Sequence, residues 1–246
     1  MNPTVAILCG GRGTRIARDE DDLPKPLVPV GGRPILWHVM ALYAAQGFTK
    51  FLLLTGWQSD RVARAAQQFE QVDDGDWTVD ILDTGNDTET GGRVARARQL
   101  LNGETFALTY ADGVADIDLN AELAFHRSEG ALATIAVTRP KSPWGEARLD
   151  DDRITGFVEK PTLETWINGG FMFMEPGVFD FIAVDDVLER RPLENLATEG
   201  ELRAFRHEGF WECMDTYKDS IQLNDLCADG TPPWLKIATP AKGATG

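Results

Sequence analysis

The sequence predicts an α/β fold, a Rossmann-like doubly wound and mostly parallel sheet with a small antiparallel β-hairpin addition. Three observations predict it. Val5–Cys9 is apolar at every position and runs into Gly10 and Gly11, and a strand apolar on both faces belongs to a sheet covered on both sides. Short apolar runs of this kind alternate with helical patterns from Val5 to Thr138, which is the order of a parallel sheet wound by crossover helices. Two short strands around Asp150-Asp151-Asp152 then break the alternation and read as an antiparallel hairpin.

The elements follow in order. Pro34–Gln46 reads as a helix with proline in its first turn, Ile35, Val39, Leu42 and Tyr43 at helical spacing and Gly47 as its stop. Lys50–Thr55 is the next buried strand, Asp60–Phe69 a helix and Trp77–Asp83 a strand. Arg93–Leu101 is helical, Thr105–Tyr110 a strand, Leu119–Glu129 a helix capped by Asp118, and Ala133–Thr138 a strand. The hairpin pairs Ala147–Leu149 with Ile154–Val158. Phe171–Met174 is a short strand and Val178–Ile182 a helical turn, while Glu194–Glu199 and Thr216–Ala228 are helices around the strands Leu202–His207 and Phe210–Met214. No linker divides the chain, so 1–236 is expected to form one domain and 237–246, small, polar and punctuated by Gly and Pro, a flexible tail.

The charge limits what the chain binds. Against 24 Lys+Arg stand 39 Asp+Glu, a formal net charge of −15, which argues against nucleic acid and anionic membranes as partners, since both need a cationic face. Cys9, Cys213 and Cys227 are an odd, widely spaced set and fit a reducing compartment better than a disulfide framework. No apolar run approaches the roughly 20 residues of a membrane-spanning helix; the expected location is the cytoplasm.

Gly10-Gly11-Arg12-Gly13-Thr14-Arg15 follows the first strand directly. Ligands of doubly wound sheets sit beyond the carboxyl ends of the strands, and glycines there let backbone N–H groups approach a phosphate. The loop is neither a dinucleotide fingerprint, because Ile16 stands three positions after Gly13, nor a Walker loop, because no Gly-Lys follows. Taken alone it is equally a tight turn. Arg15 and Lys25 add two cations, and Pro24 and Pro26 fix the backbone around the lysine.

GG-x-GTR at Gly10–Arg15, PKP at Pro24–Pro26 and PVGGRPIL at Pro29–Leu36 resemble the sugar-1-phosphate nucleotidyltransferases. TGGR (Thr90–Arg93), TYADGVAD (Thr109–Asp116), EKP (Glu159–Pro161), INGGF (Ile167–Phe171) and HEGFWECMDT (His207–Thr216) narrow the resemblance to the glucose-1-phosphate cytidylyltransferase branch. Members that make CDP-glucose are longer between the second helix and DTG, where this chain has Phe69–Thr84, and the acidic run Asp19–Asp22 is a second departure.

The resemblance implies condensation of a nucleoside triphosphate, CTP by preference, with a hexose 1-phosphate such as glucose 1-phosphate. The alternative is the same chemistry with dTTP, UTP or GTP and a modified sugar. It further implies nucleotide contacts at Leu8, Gly10, Gly11, Gly13, Thr14, Gly91, Gly92 and Arg93, and sugar contacts at Glu159, Asn168 and Gly169. Catalytic cations fall at Arg15, Lys25 and Lys160, and a homo-oligomer is expected. Arg93 has the alternative reading of a surface residue at a helix start. Asp112 and Asp215 each follow a strand, and carboxylate oxygens there are what Mg²⁺ needs beside a triphosphate; the resemblance places the metal on this pair rather than on Asp116 or Asp118. His38, His126 and His207 lack metal-ligand spacing and read as structural, and Trp144, Trp166 and Trp211 as core or pocket walls.

Overall fold

A strand apolar at every position is satisfied only between two covered faces, and Val5–Leu8 (β1) is such a strand, with Val5, Ala6 and Ile7 fully buried. The computed structural model describes residues 2–11, 23–72 (side chains to 69), 77–101, 103–228 and 230–236. The expectations for Arg12–Asp22 and for the tail 237–246 lie outside the described residues. After β1 come a 3₁₀ turn at Lys25–Leu27, the short strands Pro29–Val30 (β2) and Arg33–Pro34 (β3), and the helix Ile35–Ala44 (α1). Lys50–Thr55 (β4), Ser59–Val72 (α2) and Thr78–Asp83 (β5) follow. Next are Thr90–Arg96 (α3), Arg98–Leu101 (α4), Phe106–Tyr110 (β6), Gly113–Ala115 (β7), Leu119–Glu129 (α5) and Ala133–Thr138 (β8). The remainder is Glu146–Asp150 (β9), Arg153–Val158 (β10), Ile167–Met174 (β11), Arg191–Thr198 (α6), Leu202–Arg206 (β12), Trp211–Cys213 (β13) and Tyr217–Ala228 (α7).

Seven strands form one sheet in the order β12-β8-β11-β6-β1-β4-β5. β1 pairs in parallel with β4 and β6, β4 with β5, and β8 with β12, whereas β11 runs antiparallel to both neighbours. The sheet is therefore mostly parallel, as expected, with one reversed strand. Its two faces carry separate cores. Val5 and Ile7 pack with Ile35, Val39 and Phe51 on one side; Ala6 and Leu8 pack with Val94, Leu101 and Phe106 on the other. Each fully buried Leu, Ile or Phe of these layers stabilises the fold by roughly 1.5–3 kcal/mol.

The chain winds from β1 out to β4 and β5, then returns to β6 on the opposite side of β1. That reversal opens a crevice at the carboxyl ends of β1 and β6, where ligands of open α/β sheets bind. Helix α5 enters as its sequence dictates, with the Ala121 N–H donating to Asp118 Oδ1 at 2.8 Å, and it ends at Gly130 in the left-handed region at φ 64. The helix expected over Arg93–Leu101 begins earlier, at Thr90, and breaks at Ala97 into α3 and α4.

Three small ribbons lie outside the main sheet, the shortest being the antiparallel pair β2–β3. β9 and β10 form the expected hairpin, turning at Asp151 (φ 49). Its apolar side chains stay in solvent: Leu149, Ile154 and Phe157 are more than half exposed, and the nearby Trp144 is 75% exposed. The strand expected at Phe210–Met214 is the three-residue β13, which leaves the main sheet and pairs antiparallel with β7. Among the described residues no helix is long and apolar enough to cross a membrane.

Candidate active site

The β7–β13 ribbon explains how two aspartates far apart in sequence meet. Cys213 stands opposite Gly113, and the Met214 N–H donates to Asp112 O at 2.9 Å. Asp112, at the end of β6, and Asp215, just past β13, are thereby brought to one point. Lys25 completes the cluster: its Nζ lies 2.5 Å from Asp112 Oδ2 and 2.8 Å from Asp215 Oδ1. The lysine is held there by its flanking prolines, of which Pro24 precedes the 3₁₀ turn and Pro26 is buried within it. Burial opposes the charge on Lys25, but Asp112, followed by Asp215, outweighs it and raises the lysine's pKa.

Two cavities meet at this cluster. The first, about 350 Å³, is lined by Leu8, Cys9, Gly10 and Gly11 at the end of β1, by Thr88–Thr90 and Arg93, and by Lys25, Tyr110, Asp112 and Asp215. A Cβ on Gly11 would meet nothing within 4 Å, so that backbone faces open space. The second, about 300 Å³, shares Tyr110, Asp112 and Asp215 and adds Asn168, Gly169, Gly170, Glu189, Trp211 and Cys213. Here β11 bulges between Asn168 and Met172. Gly170 takes φ 82, its N–H donates to Asn168 Oδ1 at 2.8 Å, and Trp211 Nε1 donates to Gly169 O at 2.7 Å. A side chain on Gly170 would press against the Tyr110 ring at 2.8 Å.

Arg93 is neither a surface residue nor simply a cavity wall. It is buried, and its guanidinium donates to Thr55 O, Thr84 Oγ1, Gly85 O and Gly10 O at 2.6 to 3.0 Å. One side chain thus fastens the ends of β1, β4 and β5, and the planar fork of an arginine suits that task. It also explains Gly10 in a way its sequence context does not: a Cβ there would lie 2.1 Å from Arg93 Nη1. Burial lowers the pKa of Arg93. Gly91 and Gly92 are not among the residues lining that cavity, and a Cβ on either would run into the chain at Asp186 or Val184.

Other candidates sit elsewhere. Glu159 and Lys160 follow β10, are exposed, and do not appear among the described residues lining either cavity; Lys160 takes φ 49. Gly13, Thr14 and Arg15 lie outside the described residues. His38 makes a 2.7 Å hydrogen bond with Val30 O, His126 bonds to Thr134 and Glu175, and His207 bonds to Phe210 O. Trp166 lies under the guanidinium groups of Arg139 and Arg206, and Trp211 is a cavity wall. Two further residues line the second cavity without a role in the sequence expectations: Tyr110, which is the first residue of YADG, and Glu189, one acidic residue among many with no motif around it.

The donor set can be tested for a divalent cation. One ligand atom from each of Asp112, Cys213 and Asp215 lies within 4.8 Å of the others. The carboxylate pair already converges on a single cationic group, Lys25 Nζ, and its hard oxygens suit Mg²⁺. The Cys213 thiol does not: burial first, then Asp112 and Asp215, push its pKa up and keep it protonated, and a soft thiol is a poor partner for a hard cation.

A doubly wound sheet whose crevice joins a glycine-lined cavity to a second cavity through two carboxylates and a lysine has the form expected of an enzyme that brings two phosphorylated ligands together. The match to known proteins goes one step further. The family model described as Nucleotidyl transferase matches residues 4–209, and the chain belongs to that family. It is 37% identical over 247 residues to a probable glucose-1-phosphate cytidylyltransferase of Bacillus subtilis, covering 93% of this chain and 97% of that protein. It is 38% identical over 249 residues to the glucose-1-phosphate cytidylyltransferase of Salmonella typhi, with the same coverage of each chain. Among solved structures, HddC from Yersinia pseudotuberculosis superimposes with a TM-score of 0.73 at 21% identity, covering 91% of this chain and 99% of that one. A UTP-bound UGPase from Acinetobacter baumannii gives a TM-score of 0.67 at 15% identity, covering 91% of this chain and 92% of that one. At such identities the structural likeness speaks for the fold.

Proposed function

We propose that this chain is a sugar-1-phosphate nucleotidyltransferase that condenses CTP with glucose 1-phosphate, using Mg²⁺. The observation that carries the reading is the junction of the two cavities at Asp112, Asp215, Lys25 and Tyr110. Such a junction is where the phosphates of two substrates must meet. The names and coverage of the relatives support the choice of substrates.

The nucleotide occupies the cavity at the end of β1, with its phosphates along Gly10 and Gly11. The sugar phosphate enters the cavity lined by Asn168 and Gly169. An oxygen of its phosphate forms a bond to the α-phosphorus of the triphosphate, the α–β bridging P–O bond breaks, and pyrophosphate leaves with that electron pair. No protein nucleophile takes part; positioning and charge neutralisation do the work. Lys25 steadies the charge at the α-phosphate and Arg15 that of the leaving pyrophosphate, while Lys160 orients the attacking phosphate from the hairpin base. Asp112 and Asp215 would hold the divalent cation, which supplies further neutralisation of the triphosphate. The exposed apolar residues of the hairpin and Trp144 support a homo-oligomer. The free thiols Cys9, Cys213 and Cys227 suit the cytoplasm. We read 1–236 as one nucleotidyltransferase domain.

Pyrophosphate release over CTP, dTTP, UTP and GTP against a panel of sugar 1-phosphates tests the reading. CTP with glucose 1-phosphate is expected to give the highest kcat/KM, and EDTA to abolish turnover. A higher value for another pair would replace the substrates and keep the chemistry, and no release with any pair would overturn the proposal.

A further inference from the structure

Gly91 and Gly92 are glycines for a reason unconnected with phosphate. A Cβ on Gly91 would lie 2.7 Å from Asp186 O, and one on Gly92 would lie 2.3 Å from Val184 O. The Gly92 N–H donates to Asp186 O at 3.1 Å. The neighbouring Thr90 accepts from the Leu188 N–H at 2.9 Å and donates its hydroxyl to Glu189 Oε2 at 2.7 Å. The segment 183–190 is thus a strap seated on Thr90-Gly91-Gly92. It is braced from within, because Asp186 accepts from the Ala183 N–H at 2.7 Å and from Arg191 Nε at 2.9 Å.

The seat fixes one functional group. Glu189 lines the cavity that also holds Asn168, Gly169 and Trp211. Its Oε1 accepts from the Tyr110 hydroxyl and its Oε2 from Thr90. Each carboxylate oxygen accepts two hydrogen bonds, so one acceptor position per oxygen is left after these. A carboxylate takes hydroxyl donors and repels phosphate, so it discriminates between the two ends of a sugar phosphate. Burial first, then Glu189, raises the pKa of Tyr110 and keeps the tyrosine a donor that holds Glu189 in place.

We infer that Glu189 accepts a hydroxyl of the sugar and so sets sugar selectivity, and that Thr90-Gly91-Gly92 positions it by seating the strap that carries it. Thr90 therefore lines the nucleotide cavity yet acts on the sugar side. The inference rests on the proposed reaction and adds a specificity-determining residue to it.

The test is the ratio of the two KM values in Thr90→Val, Thr90→Ser and Glu189→Gln enzymes. Thr90→Val keeps the shape and removes the hydroxyl. It is expected to raise the sugar 1-phosphate KM about tenfold, the size of a lost hydrogen bond to a charged group, while the CTP KM moves less than about twofold. Thr90→Ser restores the wild-type ratio. Glu189→Gln raises the KM for glucose 1-phosphate by a similar factor, and that penalty vanishes for the monodeoxy glucose 1-phosphate lacking the hydroxyl that Glu189 holds. Parallel loss on both KM values, or a Glu189→Gln penalty equal across every deoxy analogue, overturns the inference while leaving the reaction standing. A wild-type enzyme that turns over no pair in the panel overturns both.

Discussion

The two cavities share a floor and differ in how they are walled. The cavity proposed for the nucleotide is built from the ends of parallel strands locked by a buried arginine, with Gly10, Thr55, Thr84 and Gly85 all bound to Arg93. The cavity proposed for the sugar phosphate is built from a bulge in the reversed strand β11, a strap, and the three-residue ribbon β7–β13. A wall of paired strand ends has its backbone acceptors already held by one side chain. The candidate phosphate ligand Lys160 stands apart from both walls, exposed just past β10. The chain thus fixes the backbone around both cavities, the first through Arg93 and the second through the seated strap. Among the described residues it leaves only Lys160 of the expected cationic phosphate ligands outside either lining.

The floor is where substitution should do most harm. Asp112→Asn keeps the shape and removes one of the two charges around Lys25. Turnover is expected to fall by about a thousandfold, comparable with loss of a preorganised electrostatic group, with circular dichroism unchanged. Asp116→Asn is the control: Asp116 pairs with His207 at 3.2 Å and lies off the floor, so its turnover should stay within about twofold of wild type. Equal losses in the two variants would remove the charge cluster from the mechanism.

The nucleotide wall comes next. In Arg93→Lys a single ammonium replaces a fork that meets the ends of three strands, leaving buried carbonyls without donors. The expected loss is about 2–4 kcal/mol of unfolding free energy in urea, with the CTP KM rising more than the sugar phosphate KM. Wild-type stability would mean that the strand ends hold each other without the arginine, and the contrast between the walls would go with it.

That contrast also marks what was legible in the sequence. Apolar runs such as Val5–Leu8 and the Phe51–Leu54 stretch of β4 announce strands buried on both faces because every position in them is apolar, and Asp118 announces a helix start because a side-chain oxygen must meet an orphan N–H. The direction of β11 was not legible, since an apolar strand pattern carries no orientation. The ribbon β7–β13 is too short to show a period, and only its pairing brings Asp112 to Asp215. For Arg93 the sequence offers a nucleotide contact or a helix-start surface residue, and not a clamp, because its acceptors at Gly10, Thr55 and Thr84–Gly85 come from three separate places in the chain. Glu189 has no local signal at all; the strap and its glycine seat give it meaning only in three dimensions.

The smallest expected effect belongs to the hairpin, and it decides whether Lys160 takes part. Lys160 is exposed and takes φ 49, a backbone conformation that favours glycine. Lys160→Gly therefore removes the ammonium while relieving the backbone, and thermal stability should hold or rise by a few tenths of a kcal/mol. If the hairpin base swings Lys160 onto the incoming phosphate, the sugar 1-phosphate KM should rise about tenfold with the CTP KM unchanged. Added salt should then narrow the gap to wild type, because screening weakens an exposed ion pair. An unchanged sugar phosphate KM would leave Lys25 and the aspartate pair to hold that phosphate alone, and the two walls would differ in construction but not in duty.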